Sequence, residues 1–208
     1  RAVPVWKHLD RMSAWLDEAR RICRAPPSEV SKAAEWLLDN EYHVRRAVRQ
    51  VREDMPPAFY RRLARSAWPE ARGSPRVLLA ARSYIDERHA QIDAATVTAF
   101  VNEFQGREGF SLAELWAVPA MLRLVALEEI VTTFCCLVPD LAPPFQGLER
   151  PGNWQDRDST DALSRAIVAL AAIERIDWKA FVEATSHVEA ILRRSPNGLY
   201  PEMDFETR

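Results

Sequence analysis

Cysteine is scarce in this chain: Cys23 and the adjacent Cys135 and Cys136 are the whole supply. Three cannot build a disulfide framework, neighbours on one helix point in different directions, and no CxxC or Cys/His cluster has zinc-site spacing. Buried free thiols in a reducing compartment are expected instead. Strand-like alternation is missing throughout, which argues against a sheet protein. The nucleophile elbow GxSxG, the phosphate loop GxxxxGK(S/T) and the dinucleotide fingerprint GxGxxG are missing as well, and with them the commonest signs of hydrolase, nucleotidase and dinucleotide chemistry. No leader-like segment precedes the first amphipathic stretch and no run qualifies as a membrane span. The formal net charge is only −2, without the basic balance of a nucleic-acid binder, so no nucleic-acid partner is expected. No internal repeat or low-complexity tract is present.

What the chain does have is helical periodicity. At 208 residues it can bury roughly 70% of its unfolded surface, enough for a core without staples. The apolar spacing predicts one all-α domain over 1–208, about eight helices around a buried central one. They fall at 4–24, 29–54, 57–67, 75–90, 94–105, 112–137, 160–174 and 178–194, with a Pro-rich loop at 138–158.

The central stretch is SLAELWAVPAMLRLVALEEIVTTFCCLV at 111–138. Leu112, Leu115, Trp116, Leu122, Ala126, Ile130, Phe134 and Leu137 recur at three- and four-residue steps, and the opposite side is largely apolar too. Such a helix belongs inside a globule or in lipid. Arg123, Glu128, Glu129, Thr132 and Thr133 favour the globule, because each central charge costs several kcal/mol in a bilayer. Ser111 and Glu114 have capping-box spacing. Pro119 removes a donor and presses on the carbonyl of Leu115, which predicts a kink or separately wound first turns. Ser28, Ser74 with Pro75, Asp93 and Asp177 are the other helix-start signals.

Charge is unevenly placed. Between positions 41 and 65 there are seven arginines against three acids, while from 140 to the end twelve acids face eight basic residues. Arg45, Arg49 and Arg52 line one side of the second helix, and Arg61, Arg62 and Arg65 follow. This ridge is either a solvated face with acids close by or a surface for anionic lipid headgroups or an acidic partner. Glu41 falls on the apolar stripe carried by Leu37, Val44, Val48 and Val51. It is either at the solvent edge of a stripe widened by Leu38 or a partly buried carboxylate paired with an arginine. The loop at 138–158 holds four prolines and two glycines. Its length makes it a functional loop or a strap over the core with Phe145 and Trp154 folded back, and the strap is favoured.

Candidate chemistry is sparse. His8, His43, His89 and His187 are scattered, and the pairs Glu183/His187 and Asp86/His89 do not complete a di-iron bundle site. Asp156, Asp158 and Asp161 form a DxDxxD cluster similar to a magnesium site of helical prenyl-transferring enzymes, but aspartates are also ordinary caps where a helix begins. A free-standing helical enzyme using them is one alternative function. Trp36, Trp116 and Trp178 sit in apolar patterns and are assigned to the core, which leaves Trp68 and Trp154 as platforms for a sugar ring. A carbohydrate- or membrane-surface-binding module using Trp154 and the arginine ridge is the other alternative.

Three blocks together carry a family resemblance: AAEWLLDN at 33–40, SLAELWAVPAMLRLVALEE at 111–129, and the stretch from 177 that ends in SPNGLYPEMDFETR. DMPPAFYRRL at 54–63 and PRVLLAARSYI at 75–85 are weaker echoes. Together they resemble the region preceding the membrane-embedded glucosyltransferase module of cyclic β-1,2-glucan synthases. Where the family would place an aromatic after LLDN, this chain has Glu41. Members of that family are large inner-membrane proteins of Gram-negative bacteria that polymerise glucose from UDP-glucose on a protein-linked primer. A separate phosphorylase-like module controls chain length. The resemblance implies a non-catalytic, cofactor-free accessory domain on the cytoplasmic side of that membrane, ahead of the first spans, whose partners are the other modules of its polypeptide. β-Glucan or anionic lipid are further partners it admits. No catalytic residue carries over. Asp39, Asn40, Asp204 and Arg208, within the matching blocks, are assigned either to local hydrogen bonding or to an interface with the glucosyltransferase module.

Overall fold

The computed structural model of the chain describes residues 5–24, 32–106, 109–138, 141–145 and 156–194, with the side chains at 32, 33, 70, 136, 137 and 156–159 outside that description. Ten α-helices and no named strand occur among the described residues. The expected all-α class is what the chain adopts.

The longest helix, α7 (Leu112–Leu137), lies in the middle. Around it are α8 (Asp156–Ile173), α5 (Arg76–Arg88) and α3 (Glu41–Asp54) as principal neighbours, with α1 (Val5–Arg24) and α9 (Trp178–Thr185) completing the enclosure. Leu115, Met121, Leu122, Leu124, Leu127, Ile130, Val131 and Phe134 are all essentially inaccessible. These residues point to every side of the helix, so α7 needs cover all round. At about 1.5–3 kcal/mol for each large apolar side chain buried, this one helix supplies a large share of the driving force. Leu112, counted in the stripe, is instead 49% exposed at the first position of the helix. Trp116 is half-buried and packs against the core. The helix winds without interruption through Pro119, so the separately wound first turns expected there do not form.

The start of α7 is fixed by the capping box. Ser111 Oγ accepts from the Glu114 amide, and the Glu114 carboxylate accepts from the Ser111 amide at 2.9 Å. Glu114 is fully buried, and Arg76 at the start of α5 reaches it with two parallel donors, Nε to Oε1 at 3.1 Å and Nη2 to Oε2 at 3.0 Å. Arg76 Nη2 also donates to the Gly109 carbonyl. One carboxylate therefore caps α7 and ties it to α5.

Helix ends elsewhere follow local chemistry. Asp93 accepts from the Thr96 amide at the start of α6 (Ala94–Gln105), and Asp177 accepts from the Lys179 and Ala180 amides at the start of α9. At α5 the capping position is Pro75, with no side-chain cap bond, so Ser74 does not cap it. The helix predicted over 29–54 is two, α2 (Lys32–Asp39) and α3, broken at Asn40. Asparagine competes with the helix for backbone partners, and here Asn40 Nδ2 donates to the Trp36 carbonyl at 2.9 Å. The helix predicted over 178–194 likewise splits at Ser186 into α9 and α10 (His187–Leu192), with Ser186 capping the second by accepting from the Glu189 amide. The break resets the helical phase. Val188 and Leu192, which continue the apolar rhythm of Phe181 and Thr185 in the sequence, are exposed together with Ile191.

Three further expectations change at their edges. α4 is Pro57–Arg62 and stops before 67, followed by a 3₁₀ turn at Pro69–Ala71; α5 ends at Arg88; and α8 begins at Asp156 rather than 160. Neither Cys135, which is buried, nor Cys23, which is half-buried, forms a disulfide. Of the loop at 138–158, the described part behaves as a strap: Trp15 Nε1 donates to the Ala142 carbonyl at 2.8 Å, and Phe145 stacks on His8 with ring centroids 4.0 Å apart. Trp154 and Ser28 lie outside the described residues.

Replacing Arg76 by Met leaves the Glu114 carboxylate buried without its counter-charge. Urea unfolding is expected to show a loss of about 3–5 kcal/mol. A loss under about 1 kcal/mol would show that the pair does not hold α7 to α5.

Candidate interaction surface

The α1–α3 face carries the densest arrangement of charge. Glu41, at the first position of α3, sits on the apolar side of the helix, as its place in the stripe implies, and its side chain is only 19% exposed. It is the paired carboxylate rather than a solvated edge residue. Arg20 Nη1 donates to Oε1 at 3.2 Å, Arg24 Nη2 to Oε2 at 2.9 Å, and Arg45 Nη2 lies 2.5 Å from Oε1. Burial alone would raise the Glu41 pKa, but the guanidinium groups of Arg20, Arg45 and Arg24 together hold it below the usual carboxylate range. Arg20 is itself buried, with its side chain 5% exposed, and desolvation lowers its pKa against the pull of Asp17 and Glu41.

Arg45, Arg49 and Arg52 follow at four- and three-residue steps, so they share one face of α3. With Arg20, Asp17, Ser13, Leu16 and Val48 they line a groove of about 300 Å³ between α1 and α3. Arg52 Nη2 is paired with Asp10 at 2.5 Å. Of the downstream arginines, Arg65 is spent locally: it donates to the Tyr60 and Gly73 carbonyls and lies over the Tyr60 ring. Arg61 and Arg62 are exposed on α4. The ridge is therefore partly an acid-matched solvated face and partly a groove.

Asp39 is exposed at the end of α2, and Asn40 is occupied in the break between α2 and α3. Trp36, assigned to the core, is 38% exposed instead, because the buried side of α2 is the one carrying Ala34 and Leu37 and Trp36 lies off it. Tyr42 beyond the break is exposed too. Trp68 is exposed, as a platform requires, whereas Trp178 packs on the core and donates to the Ile173 carbonyl. Trp154, Asp204 and Arg208 lie outside the described residues. So do the side chains of Asp156 and Asp158, while Asp161 is exposed on α8. No group of three metal-binding side chains occurs among the described residues.

A second polar site was not foreseen. Asp86 on α5 and His89 just past its end meet Glu129 of α7 and Arg165 of α8 around a cavity of about 180 Å³, lined also by Ile85, Ala90 and Ala162. His89 and Ala90 both have left-handed backbones, with φ of 49° and 61°, a conformation that costs non-glycine residues about 1 kcal/mol or more each. Burial raises the Glu129 pKa, Asp86 raises it further, and Arg165 opposes them. The Asp86/His89 spacing is visible in the sequence, but nothing local links it to Glu129 and Arg165, 43 and 79 positions after Asp86.

The remaining charges of α7 are matched by its neighbours. Arg123 donates to Asp54 at 3.3 Å, and Glu128 accepts two bonds from Arg82 at 3.0 Å and lies 2.7 Å from His8 Nε2. Burial raises the Asp54 pKa by more than Arg123 lowers it, and desolvation lowers that of Arg123. No helix among the described residues is long and apolar enough to cross a membrane.

No protein-family model matches the chain. An alignment of 119 residues, covering 54% of this chain, is 36% identical to the cyclic beta-(1,2)-glucan synthase NdvB of Rhizobium meliloti (strain 1021). The chain is related to that synthase over this part of its length, and the alignment spans 4% of the relative.

Glu41 and Glu129 should move stability in opposite directions with pH. The lowered pKa of Glu41 contributes stability that is complete above the ordinary glutamate value, about 4.3, and is lost as pH falls through the folded value. The raised pKa of Glu129 contributes stability that is complete below about 4.3 and is lost as pH rises through the folded value. In thermal melts across pH, Glu41→Gln should therefore lower the melting point at pH 7 and blunt the acid-side fall. Glu129→Gln should raise it at pH 7. The reverse pattern would overturn both assignments.

Proposed function

We propose that this chain is a non-catalytic helical accessory domain of a cyclic β-(1,2)-glucan-synthesising protein, supporting or regulating glucosyl transfer carried out elsewhere in the same polypeptide. The observation that carries the reading is the 36% identity to the glucan synthase over 119 residues. Its non-catalytic side is supported by how the chain uses the charges of its central helix: Glu114 binds Arg76, Arg123 binds Asp54, and Glu128 binds Arg82. Each fastens α7 to a neighbouring segment, which is the work of a scaffold. The small share of the relative that is matched fits one module among several.

On this reading the domain lies on the cytoplasmic side of an inner membrane, and its partners are the glucosyltransferase and membrane parts of its own polypeptide. Asp39, Asp204 and Arg208 are the residues offered to that interface, with Asn40 shaping the turn beside Asp39.

The test is a domain exchange. Deleting the matched segment from the Rhizobium meliloti synthase should abolish or strongly reduce cyclic glucan output, and inserting residues of this chain in its place should restore it. The charge-removing variants Asp204→Asn and Arg208→Gln in the exchanged protein should lower output several-fold at unchanged membrane abundance. Full glucan synthesis without the segment, or a membrane-assembled exchange protein that makes none, would sink the proposal.

A further inference from the structure

The α1–α3 groove is built differently from the rest of the charged surface. Elsewhere the arginines that bind carboxylates do so nearly one for one. Here four guanidinium groups, from Arg20, Arg45, Arg49 and Arg52, and a single carboxylate, Asp17, line one groove of about 300 Å³. Counting Asp10 and Glu41 at its margins still leaves positive charge in excess. The carboxylates are also committed: Glu41 is shared by three arginines, Asp17 is bound by Arg20, and Asp10 by Arg52. Arg49 alone among the four has no carboxylate partner among the described residues.

The floor is the telling part. Arg20 is nineteen-twentieths buried, and both of its bonds to carboxylates leave from Nη1. Its Nε is buried with no acceptor among the described residues. A guanidinium presents five donors and no acceptor, and a buried donor without a partner costs about 1–3 kcal/mol. Arg123 Nε is buried without an acceptor in the same way, but Arg20 shares its groove with three further guanidinium groups, so an anion entering there meets a cluster of donors. The ligand that takes up charge and donors together is an oxyanion with several acceptor oxygens. Guanidinium forks match phosphate geometry better than any other side chain. A lone carboxylate would use fewer of the donors, and a neutral sugar would leave the charge excess unmatched.

We infer that the groove between α1 and α3 is a binding site for a phosphate group, with Arg49 as its primary contact, Arg45 and Arg52 as flanking donors, and Arg20 as the buried charge beneath. The site does not depend on the glucan-synthase reading. Two sources share this chemistry: a free phosphate or pyrophosphate group, and the phosphate of an anionic lipid headgroup.

The experiment titrates the whole chain with inorganic phosphate and then pyrophosphate at low salt, following the arginine side-chain Nε–Hε signals by NMR. In parallel, its sedimentation with phosphatidylcholine vesicles is measured with and without phosphatidylglycerol. Arg49→Gln breaks no ion pair, so the fold should be retained, and Arg61→Gln on α4 serves as a charge-matched control outside the groove. Saturable binding of a soluble phosphate, weakened about tenfold by Arg49→Gln and unchanged by Arg61→Gln, identifies a free-phosphate site. The same dependence seen only on phosphatidylglycerol vesicles identifies the lipid source. Absence of binding in both arms, or equal weakening by the two variants, would show a diffuse positive surface and no site.

Discussion

The constraint on which everything else rests is the burial of α7. Its apolar residues leave no side free for water, yet it also carries Glu114, Arg123, Glu128 and Glu129. A charge on such a helix has to be met by a partner delivered from another element, because an unpaired one costs several kcal/mol. Arg76 and Arg82 of α5, Asp54 at the end of α3 and His8 of α1 meet the first three of these, and Arg165 of α8 faces Glu129 across a shared cavity. The apolar surface decides that α7 is enclosed, and the charges help decide which helix encloses which side and in what register.

Arginine is the cation of choice in this architecture. The chain has only three lysines among its 28 basic residues. A planar fork can satisfy a carboxylate with two bonds in a half-buried setting, where an ammonium would demand more water. Arg76 on Glu114 shows the gain, with both carboxylate oxygens occupied and the capping box preserved. Glu41 shows the other use, one carboxylate dividing its lone pairs among Arg20, Arg24 and Arg45 to bind α1 to α3. Where arginines outnumber carboxylates, at the α1–α3 groove, the same chemistry leaves capacity for a ligand.

The periodicity of single segments was the most legible feature. Ser111 with Glu114, Asp93 and Asp177 act over three residues or fewer, so the start of their helices could be read without knowing what packs against them. The breaks at Asn40 and Ser186 were harder. The apolar rhythm runs on across both, and a polar residue in mid-pattern signals a break only when its side chain or the following turn finds a better use for the backbone. A single helix running through Ser186 would put Val188 and Leu192 on the side of Phe181 and Thr185, whereas the restarted helix turns them out. Glu41 was legible as an anomaly on an apolar face, but its arginine partners could be narrowed only by knowing that α1 lies alongside.

By itself, then, the chain's order of residues determined the helical class, the central place of the 112–137 segment and the main caps, because these depend on interactions within one or two turns. It also carries the partial kinship with a glucan synthase. Tertiary structure alone decided that Arg20 lies beneath Arg45, Arg49 and Arg52, that Asp86 and His89 face Glu129 and Arg165, and that Trp36 is turned outward. Those outcomes join residues some 25 to 80 positions apart. No local pattern encodes such pairings, because they are fixed by how several apolar faces share the cover of one buried helix.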